Sequence, residues 1–137
     1  MTIDERLPVG FVRSITFSVT EHDQAEFARL SGDTNPIHLN ADHARARGFA
    51  GPVVYGGLLL ARLSQIIGLW IPGEAGLWSG VQLDFRHALL VNEPASLTAE
   101  ITHVSEATRS LVLKVTVASG DRIIASGKAM ATLFPAS

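Results

Sequence analysis

The sequence predicts an α+β fold in which an antiparallel sheet wraps one long helix. Three observations predict it. Apolar and polar residues alternate along 11–19, the period of a half-buried strand. The segment 57–71 is apolar nearly all round, as a helix buried on most sides is. Four runs rich in Val, Ile, Leu and Thr then follow one another, and helices early with strands late make α+β. At 137 residues the chain has the length of one domain, taken as 1–137.

In the first strand Phe11, Arg13, Ile15, Phe17 and Val19 share one face, and Ser14, Thr16 and Ser18 the other. Thr20 reads as a helix N-cap, with Asp23 in the place of the usual Glu of a capping box. The helix runs through Leu30, and Gly32 ends it. Residues 31–40 read as a loop, followed by a short helix over 41–47. Pro72-Gly73 stops the long apolar helix. Strands are expected over 77–85, 97–103, 111–117 and 122–134. Asn92-Glu93-Pro94 and Ser119-Gly120-Asp121 mark turns between them. Of 12 glycines, eight lie between Gly48 and Gly80, where backbone must turn tightly or come close to something.

Composition removes several classes of function. There is no cysteine, hence no disulfide framework, no thiolate zinc site and no Cys nucleophile. With 11 basic and 13 acidic residues and no basic run, a nucleic-acid partner is not expected. The apolar stretch 56–71 is broken by Arg62, Ser64 and Gln65 and falls short of the ~20 residues that cross a bilayer. Met1 to Glu5 lacks the basic and apolar regions of a signal peptide, so a cytoplasmic protein is expected.

The chemistry concentrates in Leu30 to His38. Asp33 and His38 stand five residues apart, which on a straight strand puts them on opposite faces and on a helix ~140° apart. They converge only where the chain turns between them. Pro36 supplies a turn by fixing its own φ and pushing Asn35 out of the α region. Asn35 can hold the loop through local backbone bonds. A carboxylate and an imidazole meeting at one point can share a water and move protons. Two readings stand side by side here. The same residues make good turn chemistry, with Asp33 as a cap and His38 donating to a nearby carbonyl.

Tyr55-Gly56-Gly57 precedes the buried helix. The glycines leave bare N–H groups at a helix start, where the dipole favours negative charge and a thioester oxygen could be stabilised. They could equally serve close helix–sheet packing. Ser64, roughly 2.2 turns past Gly56, is expected near the same face and within reach of a ligand there. It could instead bond back to its own helix.

Phe27 to Leu39 resembles the hydratase-2 motif of MaoC-like, (R)-specific enoyl-CoA hydratases. Gly51 to Ala61 is similar to the segment entering that family's central helix, and Gly80 to Ala99 resembles its next strand more loosely. The resemblance implies a hot-dog fold and a homodimer with acyl-CoA bound between subunits. It implies reversible addition of water to a trans-2-enoyl-CoA in acyl-CoA metabolism. Asp33 and His38 would hold the water, Asn35 would support the loop, the Gly56 N–H would polarise the thioester carbonyl, and Ser64 would lie near the site. No metal or redox cofactor is implied, because the thioester itself makes the β-carbon electrophilic.

The chain departs from the family's usual His-Gly-Met at Tyr55-Gly56-Gly57, and Arg62 is an unexpected charge in the central helix. Tyr55, Gly57 and Arg62 are therefore expected at the substrate. Nine of the 11 basic residues are arginines, which suit phosphate, and Arg86 and Arg47 are the candidates for CoA. The alternatives are a dehydratase for acyl-carrier-protein thioesters, a non-catalytic acyl-CoA-binding module, and a thioesterase of the same fold.

Overall fold

A computed structural model describes residues 4–135. The expectation placed on Met1, Thr2 and Ile3 lies outside these residues. Strand β1 (Val12–Phe17) leads into helices α1 (Glu21–Ser31), α2 (Ala41–Ala46) and α3 (Gly56–Leu69). After a short 3₁₀ turn come β2 (Gly76–Phe85), β3 (Ala95–Ser105), β4 (Ser110–Ser119) and β5 (Arg122–Leu133). All pairings are antiparallel, in the order β1-β3-β4-β5-β2. This is the α+β arrangement expected, with the sheet packed on α3 as in a hot-dog fold. No helix among the described residues is long and apolar enough to cross a membrane.

Register explains the core. Leu97 pairs with Val117, Ala99 with Val115 and Ile101 with Leu113, so one face carries apolar residues strand after strand. Leu59, Leu63, Ile66 and Ile67 of α3 bury against that face, all at most 3% exposed. Arg13 lies on the apolar side of β1 yet stays at its rim, its guanidinium over the rings of Phe11 and Trp70 at 5.7 and 5.1 Å. That cation–π stacking makes a charge tolerable there.

Helix ends follow local chemistry. The capping box at α1 forms fully: Asp23 N–H donates to Thr20 Oγ1 at 3.1 Å, and Thr20 N–H donates to Asp23 Oδ2 at 2.9 Å. Asp thus does the work of the longer Glu. Gly32 ends α1 in the left-handed conformation at φ 78°, which a side chain would resist. Helix α3 begins at Gly56 and stops at Leu69, two residues short of the predicted end. The Trp70 and Ile71 N–H groups both return to the Ile66 carbonyl, at 2.9 and 3.0 Å, so the last turn widens and closes.

Candidate active site

The loop after α1 is held by its own side chains. Ser31 Oγ donates to the Phe27 carbonyl at 2.6 Å and accepts from the Asp33 N–H at 3.0 Å. Asp33 Oδ1 accepts from the Asn35 N–H at 3.0 Å, and Asn35 Oδ1 from the Ile37 N–H at 3.1 Å. These are two consecutive Asx turns, and they bend the chain between Asp33 and His38. The turn chemistry read from the sequence is therefore present, and it brings the two residues to a common neighbour.

That neighbour is Tyr55. Its ring stacks on the His38 ring at 4.0 Å between centroids and 25° between planes. Its hydroxyl donates to the Asp33 carbonyl at 2.6 Å. Burial, and secondly the charge of Asp33, push the Tyr55 hydroxyl up from its ordinary pKa, so at neutral pH it is a donor. Tyr55 is 1% exposed.

His38 Nδ1 lies 2.6 Å from the Val53 carbonyl. A carbonyl can only accept, so Nδ1 carries the proton and Nε2 of the neutral ring keeps its lone pair. The carbonyl contact and the availability of Nε2 are thus two ends of one arrangement. His38 and Gly56 line a cavity of about 540 Å³ together with Phe49, Leu59, Phe85 and Arg86. Helix α3 starts at this cavity with no side-chain cap. Among the described residues no protein acceptor meets the Gly56 N–H, which leaves it available with the positive end of the dipole behind it. Gly56 also admits Phe85, since a Cβ there would sit 2.9 Å from the ring's Cζ.

Of the expected site residues, His38 and Gly56 line this cavity, whereas Asp33, Asn35, Tyr55, Gly57, Arg62 and Ser64 do not. Tyr55 does not line this cavity; buried beneath the loop, it touches His38 and Asp33 rather than open space. Gly57 faces Phe27: a Cβ there would come 2.3 Å from that ring's Cζ, so the missing side chain makes room for Phe27 and not for an acyl group. Arg62 lies toward β1, donating to Gln65 Oε1 at 3.0 Å with its guanidinium 5.3 Å from the Phe17 ring centroid, and is absent from the cavity. Ser64 is exposed on α3 and does not line the cavity. Eight residues turn a helix by ~80° beyond two full turns, enough to carry Ser64 off the Gly56 face. Arg86 is at the cavity with its Nε donating to Ser126 Oγ at 2.7 Å, whereas Arg47, exposed at the end of α2, is not.

Sequence reading missed Gln24. It is 1% exposed, and its amide donates to the His38 and Val53 carbonyls at 2.9 Å each and accepts from the Tyr55 N–H at 3.2 Å. A signal was present. Gln24 falls four residues before Ala28 and three before Phe27, on the inward stripe of α1.

Residues 7–123 match the MaoC-like domain family. The chain is 30% identical over 102 residues to the (R)-specific enoyl-CoA hydratase of Aeromonas caviae, covering 74% of this chain and 76% of that protein. It is 25% identical over 126 residues to the 3-hydroxybutyryl-CoA dehydratase of Methylorubrum extorquens, covering 92% and 80%. The solved structure of the (R)-hydratase from A. caviae involved in PHA biosynthesis superposes with a TM-score of 0.90 at 27% identity, covering 95% of this chain and 99% of that one.

Proposed function

The chain belongs to the MaoC-like domain family, and on that premise we propose that it hydrates trans-2-enoyl-CoA reversibly to (R)-3-hydroxyacyl-CoA, in the cytoplasm and as a homodimer. The observation that carries this reading is the His38 ring, pinned through Nδ1 with Nε2 left without a protein partner among the described residues, in a residue that lines the cavity where α3 begins.

Asp33 and His38 hold a water between them. Its oxygen bonds to C3 of the enoyl group, one of the pair takes its proton, and a proton returns to C2. Charge that builds on the thioester oxygen as C3 is attacked meets the Gly56 N–H and the positive end of α3, a 14-residue helix. Apolar side chains around the cavity hold the acyl group, and Arg86 at its rim offers free guanidinium donors to the carrier's phosphates. Dimerisation is supported by β2, an edge strand with Leu77, Val81 and Phe85 exposed along it.

The test follows crotonyl-CoA hydration by loss of enoyl absorbance. Asp33→Asn and His38→Ala should each lower kcat by about 10²–10⁴, the usual worth of a general acid or base. If both variants stay within tenfold of wild type, the reading fails. Parallel assays with a carrier-protein thioester decide which carrier is used, and release of free CoA would reveal a thioesterase.

A further inference from the structure

We propose that Tyr55 and Gln24 are positioning residues that set the spacing of Asp33 and His38 and the orientation of the His38 ring. The inference rests on the hydratase reading for its kinetic test, but its geometry stands independently.

Asp33 and His38 belong to a loop outside any helix or strand. The loop's own bonds run over two to four residues, and none of them joins Asp33 to His38. Tyr55 links the two. One phenol ring touches both ends, its face on the His38 ring and its hydroxyl on the Asp33 carbonyl. A phenol has no internal rotation that changes its length, so it acts as a rigid spacer. Phe27 packs on the same ring at 4.7 Å between centroids, which limits its movement.

Gln24 fixes the other coordinate. The Val53 carbonyl accepts from both His38 Nδ1 and the Gln24 amide. The same Gln24 amide holds the His38 carbonyl, and its oxygen holds the Tyr55 N–H. One buried side chain therefore ties the loop, the segment before α3 and Tyr55 into one unit. Leucine would leave the His38 carbonyl and the Tyr55 N–H unpaired and the Val53 carbonyl with His38 Nδ1 alone, and glutamate could not donate to the two carbonyls as an amide does. Tyr55 and Gln24 are each 1% exposed, so they act through His38 and Asp33 and not on substrate.

Tyr55→Phe keeps the ring and removes only the bond to Asp33. With crotonyl-CoA its kcat should fall about 10- to 100-fold, the order expected of a misplacement approaching 1 Å. KM should stay within twofold and the melting temperature within a few degrees. In the ligand-free protein, ¹⁵N relaxation dispersion should be flat for amides 33–38 in wild type and pronounced in Tyr55→Phe. Gln24→Met should mix the His38 tautomers in ¹⁵N spectra of the ring. Unchanged kcat with flat dispersion in Tyr55→Phe overturns the proposal. A raised KM with unchanged kcat also overturns it, by making Tyr55 a substrate contact. If Gln24→Met fails to fold, Tyr55→Phe alone decides. If wild type turns over no enoyl thioester, the hydratase reading fails, and the dispersion comparison still decides the positioning role.

Discussion

At the scale of residues, one buried aromatic carries a measurable signature. Tyr55 is the only tyrosine, so alkaline titration reports it alone among phenols. Its folded pKa is raised by burial and by Asp33. The unfolded chain therefore releases the phenolic proton first, near pH ~10. The sign follows from linkage: this contribution is intact below pH ~10 and is lost as pH climbs from there toward the folded value. Denaturant midpoints from pH 9 to 11 should fall more steeply for wild type than for Tyr55→Phe. A second residue-scale test uses Gly57→Ala. The added methyl meets Phe27, which itself packs on Tyr55. Overpacking of this kind costs about 1–3 kcal/mol, against a helix-propensity gain of about 1 kcal/mol. Chemical denaturation should show a net loss.

At the scale of elements, α1 and α3 use their N-termini differently. Helix α1 satisfies its first turn with Thr20 and Asp23. Helix α3 leaves its own first turn uncapped and opens it on a cavity. A helix start without a cap is less stable by about 1 kcal/mol and is available to an anion. Thr20→Ala should lower stability by about 1 kcal/mol in equilibrium unfolding. Asp23 is held below its ordinary pKa, chiefly by the Thr20 N–H bond. Its stabilisation is therefore present above pH ~4 and disappears as pH falls through the lower folded value. The wild-type advantage over Asp23→Asn should shrink in that acid window.

At the scale of the molecule, β1 and β2 are both sheet edges, but they differ in what they expose. Along β1 the exposed face carries Val12, Ser14 and Thr16, with Ser14 Oγ bonded to Thr98 Oγ1 at 2.5 Å. Along β2 three large apolar residues are exposed: Leu77 on that outer face, and Val81 and Phe85, paired with Ala129 and Ala125, on the side that faces α3. An apolar open edge calls for a partner, and a second copy pairing along β2 would also reach Phe85, beside the α3 start. Val81→Lys should therefore turn the proposed dimer into a monomer in sedimentation velocity, and hydratase activity should fall with it.

Periodicity, capping residues and the run from Ser31 to His38 are local signals. They determined the order of elements, the ends of α1 and the bend that carries Asp33 toward His38. The long helix was legible because its apolar residues have to be covered on several sides. The placement of Ser64, Arg62 and Gly57 around that helix was not legible, because angle about an axis has meaning only against neighbours far away in sequence. Gln24 and Tyr55 were unreadable as a pair for the same reason: their partners lie between 14 and 31 residues away, and only the packing of α1 against the start of α3 brings them together. The sequence by itself determined which groups are candidates for the proposed chemistry. The tertiary structure decided their spacing and which nitrogen of His38 is free, since both depend on backbone carbonyls that no side-chain pattern specifies.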